Sequence, residues 1–165
     1  MNRTMSLVCG SAQKWTAAIT VGALAAASLM GPASAEVGPD DVKIDDGVVA
    51  QPIADQPGDA AAGREWASGR KLGNCLACHA ISDLSELPFH GEVGPPLDGV
   101  ADRWSAEELR AILVNSKTVF GDQTIMPAFY RTAGLNKVAD DFAGKTILSA
   151  QQIEDIIAYL LTLKE

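Results

Sequence analysis

The chain has 165 residues, 47% of them hydrophobic and 21% charged, and its formal net charge is −8 at pH 7. A chain of this length can bury one domain-sized core. The acidic balance argues against nucleic acid and anionic membrane surfaces as partners, and favours a docking partner with a basic patch.

The N-terminus, residues 1–35, is typical of a cleaved export signal. Arg3 and Lys14 are its only charged residues, and an apolar run of small residues leads to the sequence GPASA. There, Ala33 and Ala35 form the small-x-small pattern that a signal peptidase cuts. The alternative, a membrane anchor, would need roughly 20 apolar residues. Cleavage would leave 130 residues with 11 basic and 21 acidic side chains, a net charge of −10. We therefore expect a periplasmic protein with no membrane segment.

Residues 36–58 form an acidic segment that proline and glycine interrupt. The segment carries five aspartates and shows no sustained helical period. This composition predicts a disordered acidic leader. The apolar residues within 48–53 favour instead an arm that wraps around a partner. Both interpretations remain open from the sequence.

Three helices are predicted in residues 59–165, which we assign as one domain. The first runs from about residue 60 to 71, because Asp59 is a good N-cap and alanines follow it. Capping boxes at Ser105–Glu108 and Ser149–Gln152 predict the starts of the other two. The last helix has the clearest apolar stripe, formed by Ile153, Ile156, Ile157, Leu160 and Leu161. No strand-like alternation persists, so the predicted class is all-α with long connecting loops.

The sequence KLGNCLACHAI, residues 71–81, places Cys75 and Cys78 two residues apart with His79 directly after them. A zinc site needs four ligands, and His90 would have to complete it at an irregular spacing. A redox dithiol follows a strand in a βαβ pattern, which this chain lacks. A disulfide is possible in an exported protein but leaves His79 without a role. Covalent haem uses all three residues, as two thioethers and the proximal iron ligand. We predict one covalently attached haem c.

The second axial ligand of the iron is predicted to be Met126, in the sequence TIMPAFY. It is the only methionine after residue 35, and the proline that follows it stiffens its loop. His90 is the competing ligand, although we expect it to serve a loop or partner contact. A proximal histidine needs an acceptor for its Nδ1–H, and the carbonyl of Pro95 in GPPL is our candidate, with Leu97 packing on the haem.

Four further features remain ambiguous in the sequence. Trp104, Tyr130 and Arg131 either bond the haem propionates or are ordinary capping and surface residues. The loop of residues 132–146 either faces a partner or is an insertion.

The segments GDAAAGREW, CLACH, GPPLDGVADRW, MPAFY and IEDIIAYLLTL together resemble a class I cytochrome c. The resemblance covers about residues 59–164. It implies a fold in which the helix around Gly63 and Trp66 crosses the helix around Tyr159 beside the haem. It also implies axial ligation of the iron by His79 and Met126.

The longer loops, PFHGEVGPPLDGVADRW, TIMPAFYR and GLNKVADDFAGKTILSAQQIEDIIAYL, resemble the SoxX family, the monohaem subunits of SoxAX complexes. The resemblance implies a SoxA-type cytochrome partner whose haem has a cysteine-derived ligand. Such complexes join thiosulfate to a cysteine of the carrier SoxYZ, as an S-thiosulfotransferase. We expect catalysis on SoxA, no catalytic residue in this chain, and electron relay to a downstream cytochrome.

Two arguments from the residues agree with this division of labour. The conjugation releases two electrons, while one haem iron takes one at a time. Both cysteines after residue 35 would hold the haem, so none is left to present a reactive thiolate. The alternatives are a free diffusible periplasmic electron shuttle, a peroxidase with an exchangeable methionine ligand, and a haem-free disulfide protein.

Overall fold

The computed structural model describes residues 35–165, so nearly all of the predicted signal segment lies outside the described residues. It contains four helices: α1 (Ala60–Ser68), α2 (Val100–Arg103), α3 (Ala106–Phe120) and α4 (Ala150–Leu160). Short 3₁₀ turns lie at Cys75–Ala77, Ser82–Leu84 and Asp140–Phe142. Apart from one isolated bridge between Asp45 and Val48, residues 35–165 contain no β pairing. The all-α class predicted from the sequence is confirmed.

Helices α1 and α4 cross in direct backbone contact at Gly63. A Cβ atom at Gly63 would lie 1.9 Å from the carbonyl oxygen of Asp155, so only glycine allows this approach. The side chain of Asp155 then accepts hydrogen bonds from Trp66 Nε1 at 3.0 Å and from the Asp59 backbone N–H at 2.9 Å. These bonds fix the crossing angle between the first and last helices of the domain.

The predicted helix starts are present, while the first helix ends earlier than predicted. Both capping boxes form, at Ser105–Glu108 for α3 and at Ser149–Gln152 for α4. Helix α1 ends at Ser68, three residues early, because the Gly69 backbone leaves the helical region. Helix α3 extends to Phe120 but bends at Asn115, whose φ of −150° and ψ of 84° interrupt the helix.

Residues 36–58 pack against the helices and belong to the same compact unit. Val49 and Ile53 are 5% and 1% exposed, and the Val49 backbone N–H donates to the Glu107 carbonyl at 3.0 Å. The Tyr130 hydroxyl donates to the Val37 carbonyl at 2.8 Å. The segment wraps its own domain rather than extending as a free acidic leader, because its apolar side chains fill the core. Turned inward, they are not available to wrap a partner.

A buried ion pair joins this segment to α3 and α4. Arg110 of α3 makes a two-pronged contact with Glu154 of α4, at 2.7 and 2.9 Å, and both side chains are only 6% exposed. The remaining hydrogen-bonding groups are also used. Arg110 Nη1 donates to the Val49 carbonyl at 2.9 Å, and Glu154 Oε1 accepts from the Ile53 N–H at 2.9 Å. A buried pair satisfied in this way holds the three elements in one arrangement.

Within residues 35–165, none of the helices has both the length and the apolar character needed to span a bilayer.

Candidate functional site

A cavity of about 1390 Å³ opens between the cysteine segment, α3, α4 and the loops that precede α4. It is larger than the roughly 300–1,000 Å³ typical of small-ligand pockets, and most of its lining residues are apolar. All six cofactor-binding residues predicted from the sequence line it: Cys75, Cys78, His79, Pro95, Leu97 and Met126. The fold thus brings residues more than 45 positions apart in the sequence to one cavity.

The two cysteines lie in a tight turn after α1. Asn74 adopts a left-handed conformation with φ of 49°, which turns the chain from α1 into the 3₁₀ turn of Cys75–Ala77. The backbone N–H groups of Cys78 and His79 both donate to the Cys75 carbonyl, at 3.1 and 2.9 Å. The two sulfur atoms form no disulfide with each other. Their apolar surroundings raise the pKa of the Cys75 thiol to about 11, because desolvation disfavours the thiolate. A redox dithiol requires the opposite shift.

His79 is held by backbone of the loop that follows it in the chain. Its Nδ1 lies 2.6 Å from the Pro95 carbonyl oxygen, the contact expected from the sequence. A carbonyl only accepts, so Nδ1 carries the hydrogen and Nε2 keeps its lone pair free for a metal. A Cβ atom at Gly94 would lie 2.3 Å from the His79 ring, so glycine is required for the ring to pack there. The imidazole is therefore fixed in both tautomer and orientation.

His90 has a different role from His79, because both of its ring nitrogens bond the backbone. Nδ1 accepts from the Ile81 N–H at 3.2 Å, and Nε2 lies 3.1 Å from the carbonyls of Leu84 and Leu87. The side chain does not line the cavity. His90 therefore closes its own loop, and both of its ring nitrogens are occupied there.

Met126 is half-buried and lines the cavity in a loop that α3 holds in place. The Ser116 hydroxyl donates to the Met126 carbonyl at 2.7 Å, and the Lys117 ammonium donates to the Thr124 carbonyl. Neither contact was predicted from the sequence. The only available signal was a serine and a lysine at the end of a predicted helix, which ordinarily indicates no more than a helix terminus.

Of the three residues left ambiguous by the sequence, two line the cavity and one does not. Trp104 lines the cavity and packs edge-on against Phe120, with ring centroids 6.2 Å apart. Arg131 lies at the cavity wall, and its guanidinium donates to the Ala133 and Gly134 carbonyls. Tyr130 does not line the cavity, since its hydroxyl holds the Val37 carbonyl. Only Trp104 and Arg131 remain candidates for contact with a bound group.

The loop of residues 132–146 forms part of the cavity wall, a role that the sequence analysis did not consider. Leu135, Val138 and Phe142 line the cavity and are 42%, 37% and 54% exposed. Covering apolar side chains of this size with a large apolar group removes them from water, which stabilises the bound state. The loop is therefore part of the binding site.

The charges on the cavity wall oppose the charge of the protein as a whole. The chain has 21 acidic residues, yet no Asp or Glu lines the cavity. Its charged lining residues are all basic: Arg70, Lys71, Lys117, Arg131 and Lys145. A large, mainly apolar ligand that also carries carboxylates matches such a wall. With two thiols and a free imidazole nitrogen on the same wall, the residues fit a covalently attached haem.

A zinc site finds no comparable support. Among residues 35–165, no group of three or more His, Cys, Asp or Glu side chains is placed to hold a metal ion. An iron ligated by one histidine and one methionine needs no such group, since the haem supplies the other donors.

This fold and this cavity define a class I c-type cytochrome, and comparison with known proteins agrees. Residues 60–164 match the cytochrome c family. The chain is 42% identical to a chain in the crystal structure of SoxXA from P. pantotrophus, covering 79% of this chain and 100% of that chain with a TM-score of 0.74. The c-type cytochrome SorU from Sinorhizobium meliloti is 28% identical, over 64% of this chain and 90% of its own, with a TM-score of 0.41. No curated protein matches.

The chain belongs to the cytochrome c family and, within it, to the SoxX type. Membership of the family implies one covalently attached haem c, in agreement with the CxxCH spacing of Cys75, Cys78 and His79.

Proposed function

We propose that this chain is the electron-transfer subunit of a periplasmic SoxAX complex, which conjugates thiosulfate to a cysteine of the carrier SoxYZ. The observation that supports it most is the shared cavity. Two cysteines, a histidine with its Nδ1–H already bonded, and the only methionine of residues 36–165 line one apolar space. The similarity to the SoxXA structure supports the particular complex.

Each part of the cavity has a defined task toward the haem. Cys75 and Cys78 would form the thioethers, and His79 and Met126 would be the axial ligands. When bound, the haem supplies an iron that gains and loses one electron. The Pro95 carbonyl holds the His79 ring, and Leu97 and the apolar wall keep water away from the ligands. Arg131 and Trp104, which line the cavity, would contact the propionates.

Electron relay follows from what this chain retains once the haem is in place. His79 and Met126 would both bind the iron, so substrate would find no open site there. Residues 35–165 contain no cysteine besides Cys75 and Cys78, and therefore no thiol is left to carry sulfur. We place the sulfur chemistry on a SoxA-type partner, and this chain passes the released electrons to a downstream cytochrome.

The proposed partner surface lies at the loop that carries Phe89. Its side chain is 78% exposed, lies outside the cavity lining, and has a φ of +68°, a conformation that bulky residues rarely adopt. Arg70 lies over its ring, 5.6 Å from the centroid. An exposed aromatic held in a strained backbone, next to the cysteine segment, supports docking near the haem edge.

A periplasmic location is part of the proposal. It rests on the signal pattern of residues 1–35 and on haem c attachment outside the cytoplasm. N-terminal sequencing of the exported protein is expected to begin at Glu36.

The test is a gentle pull-down of the tagged chain from its native periplasm, with a haem-stained denaturing gel. The proposal predicts a stoichiometric second cytochrome with a cysteine not used for haem attachment. Adding thiosulfate and SoxYZ to the oxidised complex should reduce the haem of this chain, and an electron acceptor added afterwards should reoxidise it. A solitary haem band, obtained while the partner is expressed, would instead indicate a free diffusible shuttle.

A further inference from the structure

The loop of residues 121–130 carries Met126 and has few hydrogen bonds of its own. Within its first half, the Thr124 N–H donates to the Gly121 carbonyl at 3.2 Å, and the Met126 N–H reaches the Thr124 hydroxyl only at 3.4 Å. Ile125 is 73% exposed. A loop with so few internal bonds does not fix the position of a methionine by itself.

Hydrogen bonds with α3 hold this loop in place. The kink at Asn115 interrupts the helix, and the carbonyls just before it, of Leu113 and Val114, accept from the Phe129 and Tyr130 N–H groups at 3.0 and 3.2 Å. Residues inserted beside a helix ladder are a common cause of such kinks. The C-terminal end of the loop is thereby bonded to the bend in α3.

Immediately after the kink, two side chains fasten the middle of the loop. Ser116 is fully buried at 0% exposure, and its hydroxyl donates to the Met126 carbonyl at 2.7 Å, with the Pro127 carbonyl at 3.1 Å. The Lys117 ammonium donates to the Thr124 carbonyl. The loop is therefore held before Met126, at Met126 and after it, each time by α3.

We propose that Ser116, assisted by Lys117, is a positioning residue that keeps Met126 at the haem iron and so limits its replacement by external ligands. The inference rests on Met126 being the axial ligand, as proposed above. Ser116 acts through the backbone of residue 126 and does not itself contact the iron site. The hydroxyl stabilises the loop only in the position in which Met126 lines the cavity.

The consequence is measurable by competition. An external ligand binds only the molecules in which Met126 has left the iron, so its apparent affinity rises with their fraction. Losing one buried hydrogen bond is expected to increase that fraction by roughly tenfold.

The experiment is a titration of the ferric haem protein with imidazole, in wild type, Ser116→Ala and Lys117→Met. The expected result is an imidazole affinity roughly tenfold higher in Ser116→Ala, with a smaller increase in Lys117→Met. Ser105→Ala is the matched control, because it removes a serine cap at the other end of the same helix. That variant should lose stability and bind imidazole as wild type does. Equal affinities in Ser116→Ala, Ser105→Ala and wild type would overturn the proposal.

Two further readouts separate this proposal from the ligand assignment. Wild type should show the charge-transfer absorption of a methionine-ligated ferric haem, and Met126→Ala should lack it. If wild type already lacks that absorption, the assignment of Met126 is wrong and the positioning role falls with it. If wild type shows it but Ser116→Ala keeps both its intensity and its resistance to imidazole, only the positioning role is wrong. Should Ser116→Ala fail to fold, an unchanged imidazole affinity in Lys117→Met counts against the proposal.

Discussion

The two predicted iron ligands are held by different means. His79 is fixed by backbone of the loop that follows it, through the Pro95 carbonyl and the close packing of Gly94. Met126 is fixed by α3, largely through the side chains of Ser116 and Lys117 just after the kink at Asn115. One ligand is therefore secured by backbone groups, and the other largely by side chains that can be replaced one at a time.

The difference matters for an electron carrier. A ligand secured by local backbone stays in place unless that segment unfolds. A ligand on a loop held by three separate contacts can leave the iron when those contacts loosen, at a fraction of the global free energy of unfolding. Any exchange of ligands at this iron is thus expected on the Met126 side.

Removing both haem-attachment cysteines should have the largest effect. In the double variant Cys75→Ala with Cys78→Ala, we expect no haem to stay with the chain on a denaturing gel, since no thioether can form. Cys9→Ser is the control, because Cys9 lies in the predicted signal segment. That variant should carry as much haem as wild type. Haem that stays with the double variant would contradict the proposed attachment.

The buried ion pair that joins α3 to α4 should contribute to the free energy of unfolding of the whole domain. Arg110→Met leaves Glu154 buried without its partner, which is expected to cost about 3–5 kcal/mol of unfolding free energy. Arg64→Met removes an exposed ion pair with Asp83 and Glu86, and its loss should be much smaller. Chemical denaturation of both holo-proteins measures the difference. Similar losses in the two variants would mean that the buried pair is not what holds these elements.

The position of the His79 ring should change when Gly94 is replaced by alanine, and should change little when Pro95 is. Gly94→Ala forces the His79 ring to move, and overpacking of this kind costs about 1–3 kcal/mol. Pro95→Ala keeps the backbone carbonyl that accepts from Nδ1, so the histidine should stay in place. The reduction potential and the resonance Raman spectrum of the two variants provide the measurement. A larger disturbance in Pro95→Ala than in Gly94→Ala would be inconsistent with a role for the carbonyl alone.

The smallest effect is expected for the hydrogen bond between Tyr159 of α4 and Asp83. The Tyr159 hydroxyl donates to Asp83 at 2.9 Å, and this bond, with Arg64, holds the pKa of the Asp83 carboxyl below its ordinary value. A lowered pKa stabilises the fold fully above the ordinary value of about 3.9, and that contribution is lost as pH falls through the folded-state pKa. The destabilisation caused by Tyr159→Phe should therefore shrink between pH 7 and pH 3. An equal destabilisation at both pH values would argue against this linkage.

The sequence predicted the His79 side better than the Met126 side for a physical reason. The CxxCH motif of Cys75 and His79 and the GPPL sequence that contains Pro95 are recognisable in the sequence, so the motifs alone indicate which atoms can meet. Ser116 and Met126 are 10 residues apart across a helix end, and their contact depends on a backbone break at Asn115. Neither propensity nor periodicity predicts such a break, because it arises from the packing of the loop against α3.

The segment of residues 36–58 shows the same limit in the fold. Its composition is that of a disordered chain. Its few apolar residues stabilise a folded arrangement only if they are buried in a core. Val49 and Ile53 are buried against α3 and α4, because Arg110 bonds the Val49 carbonyl and Glu154 bonds the Ile53 N–H. By contrast, α4 was predictable, since its capping box and its apolar stripe are both local signals.

Electron relay by this haem, as proposed, requires that His79 and Met126 both stay bound to the iron. Exposure of the dithionite-reduced protein to carbon monoxide tests this requirement, with Met126→Ala as the positive control. We expect no carbon monoxide adduct in wild type and a rapid one in Met126→Ala. A rapid adduct in wild type would show an accessible iron, as in a ligand-binding or peroxidase-type haem protein, and would contradict the assignment of electron relay.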